Sequence, residues 1–126
     1  MKKIISAFGL YYLLVGAIIL FAPLWFYQNT PGVSMMGPYN SHFVIDLSFA
    51  FIASGLGLLF GASKSTKSTI VTGALWPFMH ALFHISIWIK RELIIDIVSV
   101  SDFFAVIVPG VLIFLIAIKS SEAAYV

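Results

Sequence analysis

Four long apolar runs separated by short polar breaks set the organisation of this chain. They cover roughly residues 4–26, 42–62, 70–89 and 101–118, each close to the ~20 residues that cross a hydrocarbon core of ~30 Å. None shows the alternation of a barrel strand, so the pattern predicts helices, which satisfy their own backbone polar groups inside lipid. Small residues punctuate the runs. Ala50, Ser54, Gly57 and Gly61 form a stripe on the second, and Ser6, Gly9 and Gly16 form one on the first. Such stripes let membrane helices approach closely. Continuing the second stripe backward by fours reaches Asp46 and then His42, which are therefore expected to face the interior. Pro77 and Pro109-Gly110 predict kinks in the third and fourth runs.

The connections differ in kind. ASKSTKS is short and makes the second and third runs an antiparallel hairpin. The segment YQNTPGVSMMGPYNS is uncharged, rich in turn formers and long for a connector, a length associated with functional loops. Trp25, Tyr27 and Tyr39 suit an interfacial aromatic belt, and Asn40 suits an N-cap for the second helix. RELIIDIVSV mixes charge with aliphatic residues and predicts a short helix lying in the membrane interface, with Ser101-Asp102 opening the fourth span. The first run begins with Lys2-Lys3, as a signal peptide does. It is longer than a signal h-region and lacks a small-x-small cleavage site, so it is expected to stay as a helix.

Composition agrees with this pattern. Of 126 residues 61% are hydrophobic and 10% charged, too much apolar surface for a soluble domain of this size, so the lipid bilayer is the expected solvent. The expected fold is a single all-α domain, an integral membrane four-helix bundle. Lys2, Lys3, Lys64, Lys67 and Lys119 fall on one side of such a bundle, against Lys90 and Arg91 on the other. The positive-inside rule then puts both termini in the cytoplasm. A net charge of +2 without a basic tract gives no reason to expect nucleic acid as a partner. The absence of cysteine excludes disulfides and thiolate chemistry.

The candidate chemistry lies in a few ionisable residues within the apolar runs, where each costs roughly 2.5–3.5 kcal/mol on insertion scales and marks a functional site by default. His42 and Asp46 stand one turn apart on the second span, and His80 and His84 one turn apart on the third. Residues four apart share a helix face. Counted along antiparallel spans, both pairs and Asp102 fall in the half of the bundle away from the lysine-rich ends. Three imidazoles and a carboxylate suit a Zn, Cu or Fe ion, with His42, Asp46, His80 and His84 as ligands. Asp102 and Asn40 would be alternative ligands or supporting partners, Asn40 from the mouth of the site. Haem is disfavoured by a carboxylate one turn from an axial histidine. Two metal-free readings stand beside this one: a polar site acting without metal, and histidines that only hydrogen-bond between helices. Trp76 and Trp88 continue the His80–His84 line by fours and either frame a ligand or pack as core aromatics.

The block PYNSHFVID (Pro38 to Asp46), taken with HALFH (His80 to His84), resembles a group of small bacterial four-helix membrane proteins of unassigned activity. In them a similar Pro-Tyr-Asn-x-His block precedes a Gly/Ala-rich helix, and a His pair follows later. Where that group has Arg before the Asp and Gly two after it, this chain has Ile45 and Ser48. The resemblance implies a shared site at His42 and Asp46 and a multi-pass protein of the bacterial inner (plasma) membrane. Three functions are consistent with these residues. One is a metal-binding protein, in its fullest form a small metal-dependent membrane enzyme. The second is an accessory subunit that packs against membrane-protein partners or copies of itself. The third is a carrier for a lipid-soluble small molecule such as a lipid or quinone.

Overall fold

The computed structural model describes residues 1–120. The C-terminus, expected in the cytoplasm, lies outside the described residues. Those residues form helices and connecting turns, without strands. The helices are α1 (Lys2–Phe21), α2 (Pro23–Asn29), α3 (Ser41–Lys64), α4 (Lys67–Lys90) and α5 (Ile97–Lys119). All but α2 are long and apolar enough to cross a membrane.

Contacts run in sequence order: α1 packs on α3, α3 on α4 and α4 on α5, while α1 and α5 barely touch. Successive partners are antiparallel, as the close approaches show. A Cβ at Gly9 would meet Gly55 and Leu59, and one at Gly16 would meet Ser48 and Ile52. Gly57 lies against Gly73, Gly61 against Ile70, and Gly110 against Pro77 and Ala81. The helix ends bearing Lys2, Lys3, Lys64, Lys67 and Lys119 therefore share one end of the molecule, the lysine end. The connections on either side of α2 and before α5 occupy the other, the loop end.

The α1–α3 seam has a clear periodic basis. Ile5, Gly9, Tyr12, Gly16 and Ile19 are buried on α1, and Val44, Ser48, Phe51, Gly55, Leu58 and Ala62 on α3. Both sets step by alternating threes and fours, the heptad spacing that keeps one face turned to a partner. Ser54, Gly57 and Gly61 form a neighbouring face of α3 toward α4, as the small-residue stripe predicted. Its backward extension by fours does not hold. Each step of four overshoots a full turn by ~40°, so three such steps from Ser54 carry His42 onto another face. His42 and Asp46 are exposed, with side chains 86% and 60% accessible.

Two boundaries also differ from expectation. The first run breaks at Ala22, and Pro23 starts α2, a position where its missing N–H costs nothing. RELII is not helical. Glu92 and Leu93 both take positive φ (56° and 57°), and the Trp88 indole donates to the Ile94 carbonyl at 2.9 Å. The chain thereby reverses in a few residues. Asp96, not Ser101 or Asp102, caps α5: it accepts from the Ser99 N–H at 2.9 Å while the Ser99 hydroxyl accepts from the Asp96 N–H, also at 2.9 Å. This reciprocal box starts the helix at Ile97, five residues before Asp102.

Within α5 a π turn spans Phe103–Ile107. Pro109 brings no N–H, so the Ala105 carbonyl four residues earlier lacks its helical donor. The Tyr11 hydroxyl fills the gap from α1, donating to Ala105 O at 2.6 Å.

Candidate intramembrane polar site

Asp102 lies five residues from the loop end of α5 and His84 six from that of α4, depths of ~8 and ~9 Å. This match brings them together. His84 Nδ1 is 2.9 Å from Asp102 Oδ2, with the two side chains only 19% and 18% exposed. The contact lies within ion-pair range, but the ring nitrogen is not aligned for a hydrogen bond and is otherwise unpartnered. The early start of α5 sets this arrangement, because it puts Asp102 inside the helix, where its carboxylate faces α4.

His80 sits one turn deeper, ~15 Å from the end of α4. Its ring lies 4.6 Å from that of His84, edge to face, and stacks on Trp76 at 4.8 Å and 14°. Phe51 of α3 closes the other side, at 4.8 Å from Trp76 and 6.0 Å from His80. Toward the loop end, Trp88 and Phe103 meet at 6.5 Å. The site is thus a column along α4, with Trp88 on the loop side, the His84–Asp102 pair, then His80, and Trp76 at the deep end. The Trp-His-His-Trp line read from the sequence is its spine.

His42 and Asp46 form a separate pair on the outer face of α3, with His42 Nδ1 3.0 Å from Asp46 Oδ2. Asn40 caps α3, its side chain accepting from the Phe43 N–H at 3.2 Å. The expected ligand set of His42, Asp46, His80 and His84 is therefore divided between two places. Among the described residues no group of three or more His, Cys, Asp or Glu is arranged to hold a metal ion. The physical reason is the rotation of α3 described above, which carries His42 and Asp46 off the packed faces.

The loop between α2 and α3 lies over the loop end. Gly32 has φ of 85°, and a Cβ there would come within 2.7 Å of Val98. Val98 is one turn before Asp102 on α5, so this stretch of loop rests just above the carboxylate. The Tyr27 hydroxyl donates to Gly37 O at 2.6 Å and ties the loop back to α2. The sequence signalled the loop through its length and its Pro-Gly pairs, but held no sign of its partner.

Two features of this region were missed from the sequence. The heptad spacing on α1 and α3 would have turned His42 outward. The pair Asp96 and Ser99, three apart before an apolar run, was a readable capping signature. No family model, curated protein or solved structure matches this chain.

Proposed function

We propose that this protein is a four-helix bundle of the bacterial inner membrane, both termini cytoplasmic, that binds a lipid-soluble molecule through the column formed by His80, His84 and Asp102. The carrying observation is unused hydrogen-bonding capacity inside a span: the buried His84 Nδ1 has only a misaligned carboxylate, and the half-buried His80 ring makes no hydrogen bond among the described residues. Polar groups in hydrocarbon are costly unless paired. A ligand with carbonyl or hydroxyl groups on a flat ring satisfies both demands: it stacks within Trp76, Phe51 and Phe103 and hydrogen-bonds to the imidazoles. Quinones and ring-bearing lipids belong to this class.

The test is chemical. Protein purified from its membrane in mild detergent is extracted with organic solvent, and the retained molecules are identified by mass spectrometry. One ring-bearing species should be retained near stoichiometrically by the wild type and by His42→Ala, and lost in His84→Leu and His80→Leu. Identical extracts from all four proteins would refute the proposal.

A second reading rests on a different observation. The His42–Asp46 pair lies exposed beside Phe43, itself 71% exposed, on a helix face that no other part of the described chain covers. An accessory role would place a partner helix there. Native purification tests this: a protein co-purifying with the wild type and lost with Asp46→Leu supports it, and an unaccompanied monomer refutes it.

A further inference from the structure

The seam between α1 and α5 is where the described helices fail to close. Beside the Tyr11–Ala105 hydrogen bond lies a cleft of about 220 Å³ lined by Ala7, Phe8, Tyr11 and Pro109. Its lining is apolar apart from the Tyr11 hydroxyl, which already donates to the Ala105 carbonyl. A helix is 10–12 Å across with its side chains, too wide for this cleft, whereas a linear hydrocarbon chain fits. Tyr11 stands at its deep end. Lys3, Ala7 and Tyr11 step by fours along α1, so Lys3 lies one turn beyond Ala7 toward the lysine end, on the same side of the helix. The antiparallel course of α5 brings exposed Lys119 to that end as well. Among the described residues the lysine end carries five cationic side chains and no carboxylate.

We propose that this cleft is a binding site for an anionic phospholipid, with one acyl chain between α1 and α5 and the headgroup phosphate met by Lys3 and Lys119. The site is distinct from the histidine column and does not depend on it.

The experiment uses the full-length protein in nanodiscs of phosphatidylcholine containing a minority of phosphatidylglycerol. After transfer to detergent, the lipid that stays bound is measured by native mass spectrometry. The wild type should retain phosphatidylglycerol in excess of its share of the bilayer. A lysine near an anionic surface contributes ~1 kcal/mol, or about fivefold in binding, so Lys3→Gln and Lys119→Gln should each reduce the excess by up to about that factor. Lys64→Gln with Lys67→Gln removes as much charge from the same end as Lys3→Gln and Lys119→Gln combined, but at the α3–α4 turn, and should leave the excess unchanged. Ala7→Phe fills the cleft and should abolish retention of either lipid. Bound lipid of bulk composition in the wild type would overturn the proposal. So would equal losses in the two lysine pairs, the mark of a diffuse surface charge. Should Ala7→Phe not fold, the comparison between the lysine pairs still decides.

Discussion

Asp96 shows how much one side chain organises. It caps α5 and also takes both arms of the Arg91 guanidinium, at 3.4 Å for Nη1 and closer for Nη2. Chiefly through that hydrogen bond, and then through the Ser99 N–H, its carboxyl is held at about 2 against an ordinary 3.8. A carboxyl whose folded value is depressed stabilises the fold above the unfolded value and loses that effect as pH falls through the folded one. The window therefore runs from about pH 4 down to about pH 2. Asn is also a good N-cap, so Asp96→Asn isolates the charge. The melting temperature in detergent should be lower for Asp96→Asn than for the wild type at pH 6, with the gap closing as pH approaches 2. At His84 the corresponding change works through the helix interface. Asp102→Asn should cost roughly 1 kcal/mol, the scale of interhelical polar contacts in membranes, read as denaturant stability in mixed micelles. The residue-level chemistry was partly legible: Asn40 as cap and Asp102 as companion of the histidines follow from spacing alone. The pairing of His84 with Asp102 instead of with His42 does not, because it depends on how far α3 is rotated.

Between elements, glycine and proline set the distances. A Cβ on Gly110 would stand 2.5 Å from the Pro77 carbonyl oxygen and 2.9 Å from the Ala81 Cβ. A backbone oxygen cannot swing aside, so Gly110→Ala must force α4 and α5 apart. The expected loss is about 1–3 kcal/mol, typical of overpacking, together with loss of the proposed ring-bearing ligand, since His84 and Asp102 belong to these two helices. Tyr11 and Pro109 make a subtler pair. Tyr11→Phe should cost about 1 kcal/mol by leaving Ala105 O without a donor. In a Pro109→Ala background, where the helix supplies its own N–H, it should cost less. A double-mutant cycle by denaturant unfolding measures the difference, and equal costs in both backgrounds would show that the hydroxyl does not replace the proline's missing donor. The four spans themselves were readable from length and hydropathy. The π turn and the tight reversal at Arg91 to Ile95 were not, since the first is completed by Tyr11 of another helix and the second puts Glu92 and Leu93 at positive φ, which their residue types do not signal.

The molecule as a whole is polarised: five of the six lysines gather at one end, and the histidine column and the long loop at the other. With no native cysteine in the chain, this polarity can be mapped by single introductions. Ser34→Cys in the loop should react with a membrane-impermeant maleimide on intact cells, and Ser63→Cys at the lysine end only after permeabilisation. The reverse pattern would invert the proposed orientation. The contact of Gly32 with Val98 bears, finally, on biogenesis. A loop made early in translation finds its resting place only on the first turn of α5, so the cap at the loop end cannot set until that helix has left the ribosome. A truncation ending at Arg91 should insert its three spans yet leave the stretch around Gly32 open to protease, whereas the chain that carries α5 resists cleavage there.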